Sequence, residues 1–376
     1  MPRRKSIALL VFSSSLGCAA SERSPEVVTP SPTAADAAPT DTTTRRASPG
    51  DARAADSGLR VQDAPHEGPL ETADDRESSE TAFPPAALQP PHERSAQPGD
   101  GEWHRLGDPA LGERLGEDPT LMVKTVIHPH PVSKWSTLTV VAMDLRRVSV
   151  QYVPGTADIK DTKTDPALLP LVPGLVPEPD RETLLAVFNG GFKPRHGGWG
   201  MLVRSVQLVP PRDRGCTVAI SSDGTVRVGS WPVIANVLED VRSYRQTPPC
   251  LLEHGALHAS LRAYDERPWG GRDPKRKTRR RSVIGIDASG RILLYGVGEE
   301  AGPRDLATGM KAAGASSAAQ LDINWSWTRF LLFGRPQPAA ELQVTSTLIP
   351  KMVHRRTGYV SRAVERDFFY VTRRSP

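Results

Sequence analysis

The sequence predicts a single α+β domain, a strand-rich mixed sheet flanked by a few helices, that follows a disordered tether. Three observations support this fold class. Short runs of branched and aromatic residues, bounded by turn residues, recur through residues 101–376 and are typical of β-strands. One segment alone has a clear helical pattern, which favours α+β over a doubly wound parallel sheet. The composition also changes near residue 100.

The N-terminal part of the chain differs in composition from the rest. Residues 19–100 contain 12 prolines, one aromatic residue (Phe83) and no Ile, Met, Trp or Cys. Such a segment cannot bury enough apolar surface to offset its ordering entropy, so we expect a disordered tether. Residues 101–376 are enough for one core of ordinary size. The chain lacks the ~18-residue apolar runs of a multi-span membrane protein.

Charge divides along the same boundary. The whole chain has a net charge of +5. Residues 19–100 have 7 basic and 15 acidic groups, whereas 101–376 have 38 basic and 28 acidic groups. A basic domain favours an anionic partner, such as a phosphate, an acidic glycan, a nucleic acid or a membrane surface.

The first 18 residues have the features of an export signal. Basic residues 3–5 precede the short apolar run 7–12, and small residues lead to Leu16-Gly17-Cys18. The ending resembles a bacterial lipobox, so we expect Cys18 to be lipidated and 19–100 to hold the domain away from a membrane. Ala19 after the cysteine favours an outer-membrane lipoprotein, and a periplasmic or secreted protein is the alternative. In an exported protein Cys216 and Cys250 are a candidate disulfide, or else two separate buried thiols.

The predicted elements of the domain follow from local pattern. The sequence predicts strands at 122–128, 137–145, 148–153, 184–188, 201–203, 217–221, 225–228, 282–287, 291–297, 318–323, 328–333 and 368–372. The pair 282–287 and 291–297 alternates only partly, which indicates a central hairpin buried on both faces. A helix is predicted at 303–313, because Pro303 suits its first turn, Asp305 its positive end and Gly314 its C-cap.

The first candidate site is the loop 188–199, Phe-Asn-Gly-Gly-Phe-Lys-Pro-Arg-His-Gly-Gly-Trp, which follows an apolar strand. Paired glycines let backbone amides approach a ligand, and successive amides can form an anion-binding nest. The structural alternative is a flexible loop between strands. The candidate ligand-binding groups are Asn189, Gly190, Gly191, Lys193 and the protonatable His196.

The second candidate site is the basic run 272–281, which contains seven Lys or Arg residues. Its last residue, Arg281, abuts a predicted strand, where an arginine is held well enough to bind a phosphate. The alternatives are a solvated loop or a nucleic-acid patch. Nucleic acid does not fit an exported protein whose basic run lacks interleaved aromatic residues.

The third candidate site is 318–327, Ala-Ala-Gln-Leu-Asp-Ile-Asn-Trp-Ser-Trp. Asp322 follows an apolar strand, where a carboxylate needs partners or its pKa rises, as in many catalytic acids and bases. The structural alternative is an Asx turn formed by Asp322 or Asn324. Trp325 and Trp327 could be a sugar-stacking platform or core residues.

In their order along the chain, these three motifs resemble the phosphodiester glycosidase family. The matching segments are Asn189-Gly190-Gly191-Phe192, Arg281-Ser282-Val283-Ile284-Gly285-Ile286-Asp287, and 318–322 after a helix. The resemblance extends over 120–373. The third motif departs from that of the enzyme that defines the family, which has Leu-Asp-Gly-Gly-Gly-Ser. This chain has Leu321-Asp322-Ile323-Asn324-Trp325-Ser326, a form similar to that of a bacterial branch.

The resemblance implies a hydrolase that cleaves the glycosyl bond of a sugar 1-phosphodiester in envelope or exopolysaccharide metabolism. Asp322 is the first candidate for a carboxylate near the sugar C1, as base or electrostatic stabiliser. Candidate phosphate ligands are Arg281, Lys193 and the amides of Asn189, Gly190 and Gly191, with Asn324 as a substitute for the absent glycines. Candidates for a second carboxylate or a proton carrier are Glu253, Asp287, His196 and His254.

One other function stays open from the sequence. A non-catalytic lipoprotein with the same fold could bind an anionic envelope glycan through its basic pocket, and a nucleic-acid partner is not expected. No cofactor is evident, since the sequence has no Cys-x-x-Cys and no His-Glu-x-x-His. A divalent cation held by Asp322 and carbonyl oxygens stays an alternative.

Overall fold

A computed structural model describes residues 82–106, 120–159, 166–270 and 280–374. Three predicted segments lie wholly or mostly outside the described residues. They are the signal peptide with Cys18, the tether and the basic run 272–281. The α-helices in the described part are α1 (Trp231–Ala235), α2 (Ala259–Arg262) and α3 (Pro303–Ala312). The strands are β1 (His104–Arg105), β2 (Met122–Ile127), β3 (Thr137–Asp144), β4 (Val148–Val153), β5 (Leu184–Asn189), β6 (Met201–Val203), β7 (Val206–Val209), β8 (Cys216–Ser221), β9 (Val226–Ser230), β10 (Val241–Thr247), β11 (Leu252–Glu253), β12 (Ala256–Leu257), β13 (Arg281–Asp287), β14 (Ile292–Glu299), β15 (Ala315–Gln320), β16 (Phe330–Gly334), β17 (Gln343–Thr347) and β18 (Phe368–Arg373).

The strands form three sheets, and the predicted strand-rich α+β class is confirmed. The largest has the order β1-β2-β3-β14-β13-β15-β11-β12. The two five-stranded sheets have the orders β7-β6-β10-β8-β9 and β17-β16-β5-β18-β4. Each pairing described between these strands is antiparallel. The short hairpin connections favour that arrangement.

The hairpin β13–β14 lies at the centre of the largest sheet and is buried on both faces, as predicted. Val283 and Leu294 belong to a core cluster that includes the α3 side chains Leu306 and Met310. Ile284 and its neighbours on the other face join the main core, which contains the two five-stranded sheets. Because each face has an apolar layer to cover, the strands carry apolar residues on both faces.

Helix α3 forms over the predicted segment. Pro303 occupies the first turn, and the Asp305 carboxylate accepts a hydrogen bond of 2.9 Å from Gly302 N at the N-terminus. Gly314 follows the helix with φ +92°, a conformation that favours glycine at a helix C-cap.

Cys216 and Cys250 form a disulfide, so the predicted bond is confirmed. It joins the start of β8 to the segment before β11 and therefore links two sheets. No helix in the described ranges is long and apolar enough to cross a membrane.

The globular domain begins before residue 101. Phe83 and Leu88 pack against the core cluster that contains α3, and Leu88 N donates to Gly101 O at 3.0 Å. The Asp100 carboxylate lies 2.8 Å from His128 Nδ1. Residues 82–100 therefore belong to the folded domain, whereas composition alone placed them in the tether.

Candidate active site

The three sequence motifs meet at the backbone of Asp322, just beyond the end of β15. Asp322 N donates to Gly190 O at 3.1 Å, and Asp322 O accepts from the Ser282 hydroxyl at 2.8 Å. Asn189 Nδ2 donates to Ser282 Oγ at 2.9 Å. The ends of β5, β13 and β15 are thus tied together by hydrogen bonds at one point.

Asn189 uses its whole side chain within the fold. Its Nδ2 donates to Gly190 O and Ser282 Oγ, and its Oδ1 accepts from Arg329 N at 3.0 Å. The Tyr295 hydroxyl lies 2.7 Å from the same oxygen. An amide has two N–H groups and two acceptor positions, so these contacts occupy all four. The side chain therefore links strands and has no polar atom left for the predicted phosphate.

The amides of the glycine loop already have partners within the chain, and one of these partners is a carboxylate. Gly191 N donates to Asp367 Oδ2 at 3.0 Å, and Gly190 N donates to Asp367 O at 2.9 Å. The predicted anion nest is therefore filled by Asp367, which sequence analysis did not single out. A Cβ built on Gly190 would lie 2.5 Å from that carboxylate, which explains the need for glycine there.

Asp367 belongs to a buried charged cluster. Its Oδ2 also accepts from Arg245 Nε at 2.6 Å and from the Tyr152 hydroxyl at 3.2 Å. Arg366 donates through Nη2 to Gly191 O and to Asp322 Oδ2, and its Nε lies 3.9 Å from Asp158 Oδ1. These six residues are each at least nine-tenths buried. Burial and the charge of Asp367 raise the pKa of Asp158 to about 7.

Asp322 lies at the boundary between this cluster and an open cavity. Its Oδ2 accepts from Arg366 at 3.3 Å, and its Oδ1 accepts from Ile323 N at 2.7 Å. Burial raises the pKa of Asp322, although the charge of Arg366 acts in the opposite direction. A cavity of about 10 Å³ between Asp322 and Asp367 is too small for a sugar. On its other side, Asp322 lines a larger, open cavity that a ligand could enter.

The open cavity on that side has a volume of about 650 Å³, which is within the usual range for small-molecule sites. Its walls combine aromatic rings with cationic groups and one carboxylate. The aromatic residues are Phe192, Trp199, Trp269 and Trp325, and the polar residues are His196, Arg267, Arg280, Asp322 and Asn324.

The two neighbouring arginines at the start of β13 have different surroundings. Arg281, the predicted phosphate ligand, donates to Gln320 Oε1 at 2.9 Å and to Gly270 O at 3.1 Å. It is buried between strands and is not among the cavity-lining residues. Arg280 lines the cavity instead, and its guanidinium packs over the Trp325 ring, 3.7 Å from the centroid.

Of the remaining sequence candidates, two lie at the cavity. His196 is exposed on its rim. Asn324 lines the cavity, but its Oδ1 accepts from Ser326 N and the Ser326 hydroxyl, which is the predicted Asx turn. Lys193 is half-buried and lies outside the lining.

The candidates for a second carboxylate do not join Asp322. Glu253 accepts from Ser230 N at 2.8 Å at the start of α1 and lines a separate cavity. Asp287 accepts from the backbone of the β13–β14 turn at Arg291 and Ile292. His254 lies exposed in the turn between β11 and β12. The acidic neighbour of Asp322 is instead Asp367, and Asp158 is linked to Asp322 only through Arg366.

A signal for the missed residues was present in the sequence. Arg366 and Asp367 directly precede the apolar strand β18, just as Asp322 follows β15. Arg245 gave no comparable signal, because it lies inside a strand with several polar residues. Within the described ranges, no group of three or more His, Cys, Asp or Glu side chains is placed to hold a metal ion.

Comparison with known proteins gives distant similarities of structure. No protein-family model matches the sequence, and no curated protein matches it significantly. The zebrafish N-acetylglucosamine-1-phosphodiester alpha-N-acetylglucosaminidase catalytic domain, auto-inhibited by its pro-peptide, has 15% identity and a TM-score of 0.40, over 76% of this chain and 97% of that chain. A hypothetical protein from Synechocystis has 10% identity and a TM-score of 0.39, over 68% of this chain and 62% of that chain. An exported protein of Burkholderia pseudomallei has 11% identity and a TM-score of 0.24, over 63% and 74% of the two chains. These similarities assign no activity to this chain.

Proposed function

We propose that the protein is an exported, lipid-anchored hydrolase that cleaves the glycosyl bond of a sugar 1-phosphodiester in the bacterial cell envelope. The observation that carries this proposal is Asp322, a nearly buried carboxyl group with a raised pKa at the wall of an aromatic and cationic cavity. Perturbed carboxyl groups in clefts are typical of general acids and bases.

The cavity has the composition expected for such a substrate. Aromatic faces such as that of Trp325 stack on sugar rings, and Arg280 and His196 supply cationic or protonatable groups for a phosphate. The motif order that resembles phosphodiester glycosidases supports the same substrate class. Four of the predicted phosphate ligands form hydrogen bonds within the fold instead: Asn189, Gly190, Gly191 and Arg281. Their part in this proposal is to fix Asp322 in place.

In the proposed reaction, ionised Asp322 accepts a proton from a water molecule as the water oxygen bonds to C1 of the sugar. The C1–O bond to phosphate breaks, and its electron pair stays with the phosphate oxygen. The products are a free sugar and a phosphomonoester. A phosphate is a good leaving group, so the main task of the site is to hold the anion and stabilise positive charge near C1.

The envelope location rests on the sequence alone. The charged and apolar N-terminal pattern, Cys18 and the acidic tether favour a lipid anchor, and labelling of Cys18 by a lipid precursor would test it. A Cys18→Ser variant should remain unlabelled and leave the membrane fraction.

The test of catalysis uses the full chain with a panel of glycosyl phosphodiesters that includes UDP-sugars. Asp322→Asn should lower turnover at least about 100-fold, the usual contribution of a positioned acid or base. Glu253→Gln is a matched control, because it removes a carboxylate in the separate cavity and should leave turnover within about twofold. Unchanged turnover in Asp322→Asn would overturn the assignment.

One observation favours the alternative of a non-catalytic glycan-binding lipoprotein. Among the described residues that line the open cavity, Asp322 is the sole carboxylate, whereas most glycosidases place two at the bond that they cleave. A binder should retain ligand affinity in Asp322→Asn and show no turnover in the parent protein. The same panel, followed by calorimetry as well as by product release, separates these two functions.

A further inference from the structure

We infer that Arg280 and Trp325 form the anion-binding subsite of the open cavity, with Arg280 bound to a phosphate oxygen of the ligand. This inference deepens the proposed function, since it names the group that would hold the charged part of the substrate. It assigns to Arg280 the role that sequence analysis gave to Arg281.

The fold holds Arg280 rigidly. The residue is 2% exposed, and its Nη2 donates to Glu299 Oε1 at 2.8 Å. The Trp325 ring covers the guanidinium at 3.7 Å, which fixes the plane of the group as well as its position. A planar cation held in this way loses little side-chain entropy when it binds an oxyanion.

Arg280 nevertheless has donors left for a ligand. Its Nε and Nη1 are buried and have no hydrogen-bond partner among the described residues. Buried N–H groups without an acceptor are costly, and bonds from a guanidinium to an oxyanion are among the stronger hydrogen bonds in proteins. An anion in the cavity would supply the acceptor that the fold does not.

Arg267 offers an internal comparison, because it lines the same cavity and meets its carboxylate partner through two nitrogens, whereas Arg280 donates to Glu299 through one. It donates through Nε and Nη2 to the two carboxylate oxygens of Asp265, each at 2.8 Å. Its side chain is 76% exposed, so it is also well hydrated. The two arginines therefore carry equal charge, but the unpartnered donors of Arg280 are buried whereas those of Arg267 can bind water.

Trp325 completes the subsite. It is 51% exposed although its ring lies against Arg280, and it lines the cavity. Trp325 follows Asn324, whose Asx turn with Ser326 fixes the loop that carries the ring. A sugar next to a phosphate bound at Arg280 would find this aromatic surface beside it.

The experiment measures binding of glucose 1-phosphate by calorimetry in the Asp322→Asn background of the full chain, so that no turnover is needed. Arg280→Lys keeps the charge and a donor to Glu299, and it should weaken binding about 10-fold or more. Arg267→Gln should change binding less than about twofold. Uncharged methyl glucoside should bind much more weakly than glucose 1-phosphate in the parent protein.

Two further variants distinguish a binding role from a structural one. Glu299→Gln removes the carboxylate that competes for Arg280 and should tighten binding about two- to fivefold. Trp325→Ala should weaken it about three- to tenfold. If Arg280 only held the fold together, Glu299→Gln would weaken binding or leave it unchanged.

The inference is overturned if Arg280→Lys binds glucose 1-phosphate as the parent does, or if Arg267→Gln weakens binding equally. It is also overturned if glucuronic acid binds more tightly than the phosphate, or if no phosphate binds at millimolar concentration. Failure of the hydrolase proposal would appear differently, as Arg280-dependent binding without turnover in the protein that retains Asp322.

Discussion

The glycine loop after β5 and the wall of the open cavity contain similar polar groups, but the hydrogen-bond partners of these groups differ. The amides of Gly190 and Gly191 bind Asp367, whose carboxylate also contacts Arg245. On the cavity wall, Arg280 keeps two nitrogen atoms without partners in the described structure. We call the first region the closed network because its charged groups lie beside opposite charges within the fold, although Asp367 Oδ1 and Arg366 Nε have no hydrogen-bond partner among the described residues. The second region faces the open cavity. Several motif residues thus build a scaffold, whereas Asp322 and neighbours such as Arg280 face the cavity.

The largest loss of stability should follow from removing one charged partner from the closed network. Arg245→Met leaves the Asp367 carboxylate buried without its guanidinium and should lower the free energy of unfolding by about 3–5 kcal/mol. Arg267→Met is the control, because its pair with Asp265 is exposed and contributes about 1 kcal/mol or less. Denaturant titration measures both. Equal losses in the two variants would contradict the distinction between closed network and cavity wall.

Much of this arrangement follows from the sequence, but not all of it. The hairpin β13–β14 and helix α3 were predictable, because their apolar patterns and end signals are local. Strand β10 was not, since its buried Arg245 is compatible with a strand only once Asp367 lies beside it. The position of Asp322 at a strand end was predictable. The separation of Glu253 from it was not, because sequence distance does not give the distance in the fold.

The second largest loss of stability should come from adding a methyl group within the closed network. A methyl group on Gly190 would lie 2.5 Å from the Asp367 carboxylate, so Gly190→Ala should cost about 1–3 kcal/mol. On Gly229 in β9 the same group would meet its nearest atom at 3.7 Å, an ordinary contact. Gly229→Ala should therefore change stability by about 0.5 kcal/mol or less. A tolerated Gly190→Ala would mean that Asp367 can move away from the loop.

The third prediction concerns the charge state of the closed network. The pKa of Asp158 is raised from 3.8 to about 7, so the folded protein holds this proton more tightly than the unfolded chain does. The stabilisation is fully present below pH 4 and is lost as the pH rises toward 7.

Asp158→Asn removes that titration, so the variant should lose less stability than the parent between pH 4 and 7. Thermal unfolding at a series of pH values measures the difference. Asp240→Asn, which removes an exposed carboxylate, is the control, and its stability should depend on pH as that of the parent does. A pH dependence in Asp158→Asn as steep as in the parent would show that another group is responsible.

The smallest expected loss of stability is that of Trp325→Ala, which we compare with Trp269→Ala on the same cavity wall. Trp269 is fully buried and donates through Nε1 to Pro249 O at 2.7 Å, so Trp269→Ala should cost about 3–5 kcal/mol. Trp325 is 51% exposed and its main contact is the Arg280 guanidinium. Loss of that contact should cost about 0.5–1 kcal/mol. If Trp325→Ala destabilised the protein as much as Trp269→Ala, the ring would be part of the scaffold. A small loss of stability combined with weaker glucose 1-phosphate binding places Trp325 among the groups that serve the ligand.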